Sequence, residues 1–281
     1  MLPFPRAHLY VGAFLLATFA AFWPSYFSVL GEASFAHHLH GMTATLWILL
    51  LMAQNWTIHH RHRGAHKWFG LSSLALIPVF TVGGLLTTRD TVARDSPFTE
   101  MFGFRLAVAD LVATVIVCLF FALALRHRRN VHLHARYMLA TVTPLLGPSL
   151  ARLFNNYTPG FAIRSIEELP KFAIGATVSV LFAIALLAIL IYRDHRNDQP
   201  TLPFTLALIG TLAMYSGFYV WGDWPVWIAT MEAYGTVPSW IIWVTGLAIG
   251  TAAGAWGWQA GKRPNRRTAA GPAAPLTDAT A

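Results

Sequence analysis

Eight apolar runs, each about 20 residues long, limit this chain to very few folds. A helix of that length crosses the ~30 Å hydrocarbon core of a bilayer. Backbone polar groups find no water in lipid, so a spanning segment must be a helix or part of a closed barrel. Barrel strands are shorter and alternate between polar and apolar residues, whereas these runs are continuously apolar. The sequence therefore predicts an all-α polytopic transmembrane helical bundle.

The composition agrees with lipid as the solvent. Hydrophobic residues make up 56% of the chain and charged residues 11%, against about 25% charged residues in soluble proteins. We therefore interpret the net charge of +8 as a matter of membrane topology and expect no nucleic-acid partner. The predicted spans are Leu9–Phe27, His40–Ile58, Trp68–Leu86, Phe104–Leu125, Ala135–Phe154, Phe172–Tyr192, Leu202–Trp221 and Ser239–Trp258.

The distribution of basic residues predicts the orientation. With a cytoplasmic N-terminus, most Lys and Arg residues fall in cytoplasmic segments, and most acidic residues fall outside. Positive loops are retained on the cytoplasmic side, so we expect eight spans with both termini inside. The first run has no clear cleavage site and is interpreted as an uncleaved helix. Residues 1–261 would form one transmembrane domain, and residues 262–281 a disordered basic and Ala/Pro-rich cytoplasmic tail.

Histidines gather in the two cytoplasmic turns after spans two and four. Four of them are candidate ligands: His62, His66, His132 and His134. Imidazole binds transition metals and serves as an axial ligand of haem iron. The many arginines around these histidines would repel a bare dication, whereas haem propionates would pair with them. The pattern favours a haem b over a metal ion, with His66 and His134 as one pair to consider.

Two other functions of these two histidine-rich turns stay open. The turns could simply form a basic interface that binds anionic lipid headgroups at the cytoplasmic face. They could also bind some other ligand. The sequence does not choose among a haem-binding redox protein, a lipid-binding surface and a different ligand site.

A second polar group is expected toward the outer side. Asp110 lies inside the fourth span, and ionisable residues in a span usually face the bundle interior with a partner. Four residues could form an outward-facing pocket: His40, Arg105, Asp110 and Arg152. Such a pocket would suit a small carrier or an anion-binding or lipid-binding protein. The alternative is structural, with Asp110 paired to Arg105 or Arg152 to hold helices together.

The last span carries glycines at four-residue spacing, at positions Gly246, Gly250 and Gly254. Such a stripe lets another helix approach closely. Packing within the monomer is the default interpretation, and a homo- or hetero-oligomer contact of an assembly or scaffold subunit is the alternative. The lone cysteine, Cys118, lies in a span and is interpreted as a packing residue.

Several of these residues together resemble a known pattern. The chain carries His37-x-x-His40, Trp47, Gln54, His66-Lys67-x-x-Gly70, His134-x-Arg136-x-Met138 and Arg152. The pattern resembles a group of uncharacterised bacterial multi-span membrane proteins with histidine-rich loops between spans two and three and between spans four and five. It is more distantly similar to b-type-cytochrome-like membrane proteins of unknown function. The resemblance implies a bacterial inner-membrane location and carries no activity.

The sequence leaves the catalytic question open. It contains no phosphate-binding glycine loop, nucleophile elbow or HExxH motif. We expect an integral inner-membrane protein, with a haem-binding or metal-binding redox role as the first hypothesis. Whether the chain is an enzyme is not decided at this level.

Overall fold

The computed structural model describes residues 2–262, and within that range its regular structure is helical, without a strand. The predicted tail, apart from Lys262, lies outside the described residues. Ten α-helices follow in order: α1 (Ala7–Phe22), α2 (Phe35–His59), α3 (Arg63–Ala93), α4 (Phe104–Arg126), α5 (Val131–Ala140), α6 (Thr143–Tyr157), α7 (Lys171–Arg196), α8 (Leu202–Ser216), α9 (Pro225–Gly235) and α10 (Ser239–Ala260).

Five helical segments in residues 2–262 are long and apolar enough to cross a membrane. They are Arg63–Ala93, Thr99–Arg126, Lys171–Arg196, Leu202–Trp221 and Ser239–Ala260. This confirms the prediction of an all-α fold with several membrane-spanning helices. Helix α1 is apolar but has only 16 residues. Helix α2 has 25 residues, carries histidines at both ends and is not among the five.

The glycine stripe of α10 is used inside the chain. A Cβ atom on Gly250 would lie 2.5 Å from the Cα of Pro78, and one on Gly246 would lie 2.7 Å from Cγ2 of Val82. Both contacts are closer than real side chains tolerate, so only glycine lets α10 lie this near α3. The stripe therefore packs two spans of one chain together.

The segment predicted as a single fifth span, Ala135–Phe154, is formed by two helices. Helix α5 ends at Ala140 and α6 begins at Thr143. Pro144 has no N–H to donate to the Ala140 carbonyl, and its ring disfavours a continuous helix. The Thr143 hydroxyl donates to that carbonyl at 2.8 Å instead. Thr141, within the break, accepts a hydrogen bond of 3.0 Å from Nε1 of the buried Trp47.

A helix that the sequence did not predict lies in the loop before α10. Helix α9 is anchored on the spans by two long-range hydrogen bonds. Nε1 of Trp227 donates to the Phe104 carbonyl at 2.8 Å, and the Tyr234 hydroxyl donates to the Leu85 carbonyl at 2.8 Å. Burial raises the pKa of Tyr234 to about 12. The aromatic residues of this loop thus fix a short helix, in addition to any role at the headgroup level.

The loop between α6 and α7 is held by short-range contacts. The Ser165 side chain makes no capping hydrogen bond to the turn that follows. Ile166–Glu168 form one 3-10 turn. The Glu168 carboxylate accepts from the Arg164 backbone N–H at 2.8 Å and forms an ion pair with Lys171. Short-range ion pairing replaces the cap.

Candidate functional site

Two histidines occupy equivalent places in two helical hairpins. His66 is the fourth residue of α3 and His134 is the fourth residue of α5. The Nδ1 atom of His66 lies 3.2 Å from the carbonyl oxygen of Gln54, near the end of α2. The Nδ1 atom of His134 lies 2.8 Å from the carbonyl oxygen of Ala124, near the end of α4. In both hairpins the histidine therefore bonds back to the helix that precedes it.

These contacts define the tautomer of each ring. A carbonyl oxygen only accepts hydrogen bonds, so the proton in each pair must sit on Nδ1. In the neutral imidazole the lone pair is then on Nε2. A metal-ligating histidine in proteins usually donates its other N–H to a carbonyl or carboxylate, which orients the ring. His66 and His134 both have this arrangement without a metal.

The two rings share one neighbourhood. His66 lies at the α2–α3 turn and His134 at the α4–α5 turn, and residues of all four helices pack in one apolar cluster. Each histidine begins a helix whose next turns enter this cluster, which includes Leu74 of α3 and Met138 of α5. Phe121 of α4 is fully buried in the same cluster. The pair therefore lies at the border between an apolar interior and the turns that carry the arginines.

The other two candidate histidines are placed differently. The His62 ring is exposed and stacks on Trp56, with ring centroids 5.5 Å apart. His132 is half-buried, and its Nδ1 is buried without a hydrogen-bond partner among the described residues. Neither ring is fixed by a carbonyl as His66 and His134 are. The structure thus separates one matched pair from two dissimilar histidines.

The charges around this end include a carboxylate that sequence reasoning missed. Asp194, at the end of α7, accepts two hydrogen bonds from Arg136, at 2.7 Å from Nε and 2.9 Å from Nη2. Both side chains are 3% exposed. The sequence offered one weak signal, an acid between Arg193 and His195 at the end of a span. Arg136 is therefore fully used in structure and is not free to bind a ligand.

Other cations remain accessible near His66. Arg63 and Lys67 are exposed in the first turns of α3. Burial, and secondarily the charge of Arg126, lowers the pKa of His127. Arginine and lysine, which are protonated at neutral pH, supply the fixed positive charge of the basic end. Here "basic end" denotes the α2–α3 turn, the α4–α5 turn and the ends of α7 and α10.

A multi-ligand metal site is not formed in residues 2–262, where no group of three or more His, Cys, Asp or Glu residues could hold a metal ion. Zinc sites take three or four protein ligands. Haem iron needs the protein only for its axial positions, because the porphyrin supplies the other four ligands. Two neighbouring imidazoles with free Nε2 atoms fit that requirement better.

At the opposite end, the polar groups expected in a pocket only partly converge. Arg152 of α6 lies near enough to His40 of α2 and to Asp110 of α4 for its charge to act on both. Arg105 instead forms an ion pair with the exposed Asp223, in the turn before α9. We call the three converging residues the outer trio. Each of the three keeps some accessible surface.

His40 of the outer trio lies against glycines of α3. A Cβ on Gly83 would be 2.9 Å from the His40 Cα, so glycine is needed for this approach. The His40 ring stacks on Phe80 with centroids 5.4 Å apart and an angle of 12° between the rings. Its Nδ1 is buried and has no partner among the described residues. The ring is thus held by packing, while its polar atoms are left unsatisfied.

Asp110 and Arg152 are near each other without forming an ion pair. Among the ion pairs of residues 2–262, none involves either side chain. Arg152 donates from Nη1 to the Pro148 carbonyl at 3.1 Å and lies over the Phe22 ring at 4.3 Å. Ionisable groups inside a bundle lower its stability when their hydrogen bonding is incomplete. Such groups therefore often mark a site that binds a ligand or transfers a proton.

Two shallow hollows on the surface involve neither group. One is lined by Leu74 and by residues from Thr251 in α10 to Lys262 just after it, and the other by Trp221, Trp224 and neighbours in the loop around α9.

No protein-family model, curated protein or solved structure matches the chain.

Proposed function

We propose that the chain is a polytopic protein of the bacterial cytoplasmic membrane with eight spans and both termini inside. Helices α1 and α2 and the broken pair α5–α6 would add three crossings to the five long apolar helices. The distribution of arginine and lysine supports the orientation. The bacterial location rests on the sequence resemblance alone.

Within this topology, we infer that the chain is a membrane redox protein in which His66 and His134 would hold a haem b. The observation that carries the proposal is the matched pair of Nδ1–H bonds to the carbonyls of Gln54 and Ala124, which leave both Nε2 atoms as ligands. When bound, haem supplies one-electron redox chemistry. The exposed Arg63 and Lys67 could pair with its propionates.

The chain's own residues would tune such a site. The two carbonyl acceptors raise the basicity of the imidazoles and fix their orientation. The apolar cluster around Leu74, Phe121 and Met138 provides a low-dielectric lining. Because Arg136 is neutralised by Asp194, the nearest buried cation adds little net positive charge. The site is thus apolar on the membrane side and cationic on the aqueous side.

An optical spectrum of the detergent-purified protein, expressed with haem supplied, tests this proposal. We expect a Soret band and one iron per chain in the wild-type protein. His66→Leu and His134→Leu should each lose the band, because either change removes an axial ligand. His62→Leu and His132→Leu are matched controls from the same turns and should keep it.

Two outcomes would overturn the proposal. One is wild-type protein that is folded yet shows neither a Soret band nor stoichiometric iron. The other is a band that survives in both His66→Leu and His134→Leu. Thermal unfolding of every variant, followed by tryptophan fluorescence, separates loss of the ligand from loss of the fold.

A second candidate function is a small carrier or an anion-binding protein that acts through the outer trio. It is favoured by the unsatisfied Nδ1 of His40 and by the lack of an ion pair for Asp110 and Arg152. Uptake of small carboxylates into proteoliposomes would test it. Arg152→Gln should abolish uptake, whereas Arg164→Gln, in the loop after α6, should leave it unchanged. Equal uptake by both variants would exclude this role.

A further inference from the structure

A groove on the lipid-facing side of the bundle lies between α3 and α10 at the basic end. It has a volume of about 330 Å³. Leu74 of α3 forms one wall, and the α10 residues Thr251, Gly254 and Ala255 form the other. The groove follows α10 from Thr251 to Gln259 for roughly 12 Å, at ~1.5 Å per residue, and reaches Lys262 just after the helix. Its volume falls within the range of about 300–1,000 Å³ that is typical of small-molecule sites.

The groove exists because Gly254 has no side chain. A Cβ at this position would lie 3.3 Å from a methyl group of Leu74 and 3.5 Å from the Phe121 ring. Gly246 and Gly250, further along the stripe, meet α3 backbone or side-chain atoms closely, whereas at Gly254 the helices leave space. The part of the groove lined by Leu74, Gly254 and Ala255 is therefore apolar.

The mouth of the groove is polar and cationic. Gln259 and Lys262 line it, and Trp258 lies between them and the apolar part. Arg128, from the α4–α5 turn, lies over the Trp258 ring at 4.6 Å and donates to the Trp258 carbonyl at 2.8 Å. One cation, an amide and an indole thus line the mouth, and a second cation, Arg128, lies against the same indole.

The apolar part of the groove fits an acyl chain, and the cations at its mouth fit an anionic headgroup. We propose that this groove binds an anionic phospholipid, with one acyl chain against Leu74, Gly254 and Ala255 and the phosphate beside Lys262 and Arg128. Basic pockets between spans on the cytoplasmic side are typical sites for anionic headgroups. This inference uses the orientation proposed above for the basic end but not the haem, so either can fail without the other.

Native mass spectrometry of the purified full-length protein tests the groove. The protein is titrated with phosphatidylglycerol and, separately, with phosphatidylcholine of the same acyl chains. We expect one retained phosphatidylglycerol per chain, bound about fivefold more tightly than phosphatidylcholine, because cations near the surface favour anionic lipid. Equal retention of the two lipids by the wild-type protein would overturn the proposal.

Two pairs of variants locate the site. Ala255→Trp fills the apolar part of the groove and should reduce binding of both lipids at least about tenfold. Ile249→Trp, at an exposed position about 120° around the same helix, should not. Lys262→Gln should remove the preference for phosphatidylglycerol, while Arg196→Gln, an exposed cation at the end of α7, should preserve it.

Unchanged binding by Ala255→Trp, or an unchanged preference in Lys262→Gln, would show that the lipid binds elsewhere. Should Ala255→Trp lower the thermal unfolding temperature, Thr251→Leu narrows the same groove from an exposed position and replaces it. Retention of both lipids by Thr251→Leu at wild-type strength would then count against the groove.

Discussion

Two arginines inside this bundle differ in whether they form an ion pair. Arg136, at the basic end, forms a bidentate ion pair with Asp194, at 2.7 and 2.9 Å, and both side chains are 3% exposed. Arg152, at the opposite end, is near Asp110 but forms no ion pair with it. Nε, Nη1 and Nη2 of Arg136 all donate hydrogen bonds within the chain, whereas among the described residues Arg152 donates from Nη1 alone.

The difference separates structure from candidate function. A buried ion pair with good geometry and further hydrogen bonds fixes helices in place, and removing one partner leaves an uncompensated charge. Arg136 also donates from Nη1 to the His132 carbonyl and lies over the Phe4 ring at 5.0 Å. The outer trio contains no such ion pair, and the buried Nδ1 of His40 lacks a partner among the described residues, so the trio is the better candidate for binding or proton exchange.

The largest effect should come from breaking the satisfied pair. Asp194→Asn leaves Arg136 buried without a counter-charge and should cost about 3–5 kcal/mol of stability. Chemical or thermal unfolding in detergent, followed by tryptophan fluorescence, measures the loss. The double variant Asp194→Asn/Arg136→Met should recover part of it, since it leaves no buried charge. A loss below about 1 kcal/mol for Asp194→Asn would mean that the pair is exposed to water.

The outer trio should respond much less. Asp110→Asn removes a carboxylate that has no ion pair, so we expect a change in stability within about 1 kcal/mol of zero. A double-mutant cycle of Asp110→Asn and Arg152→Gln should give a coupling energy below about 1 kcal/mol, against about 3 kcal/mol for the pair of Asp194 and Arg136. Equal coupling energies in the two cycles would remove the distinction between the two regions.

The helix break gives an intermediate effect. Thr141→Val removes the acceptor of the buried Trp47 Nε1–H, whose bond is 3.0 Å long. Leaving that donor unsatisfied should cost about 1–3 kcal/mol. Thr205→Val is the control. The Thr205 hydroxyl donates to the carbonyl of Thr201, one turn earlier, at 3.1 Å, so its loss leaves no long-range donor without an acceptor. A larger loss in the control would contradict the role given to Thr141.

The smallest effect should come from an exposed neighbour of the satisfied pair. Arg193 lies 3.9 Å from Asp194 and 4.9 Å from the Phe4 ring centroid, but its side chain is 50% exposed. Arg193→Gln should therefore change stability by about 0.5 kcal/mol or less. The same unfolding assay checks it. A loss comparable to that of Asp194→Asn would mean that Arg193, rather than Arg136, holds the carboxylate.

The sequence predicted the parts of this molecule that depend on local pattern. The apolar runs fixed the positions of the long helices, so α4 and α10 begin at the predicted residues, Phe104 and Ser239. The break after Ala140 was missed because proline in a membrane helix can be accommodated in several ways. The outcome depended on hydroxyl groups of Thr141 and Thr143 that only the fold brings into position.

The candidate sites were harder to predict from the sequence, because the residues that contact each other are far apart in the chain. Asp194 lies 58 residues from Arg136, and nothing local marks the pairing. Arg105 was grouped with Asp110 because they are neighbours in sequence, yet its partner, Asp223, belongs to a loop 118 residues away. The pairing of His66 with His134 was stated as one option, and its separation from His62 and His132 required the backbone carbonyls as acceptors.

A haem titration of the purified apoprotein tests the central claim most directly. The account predicts saturation at one haem per chain, with the low-spin spectrum of iron bound by two imidazoles, and loss of that spectrum in the His66→Ala/His134→Ala variant. A titration without saturation in folded wild-type protein, or the same low-spin spectrum in the double variant, would contradict it.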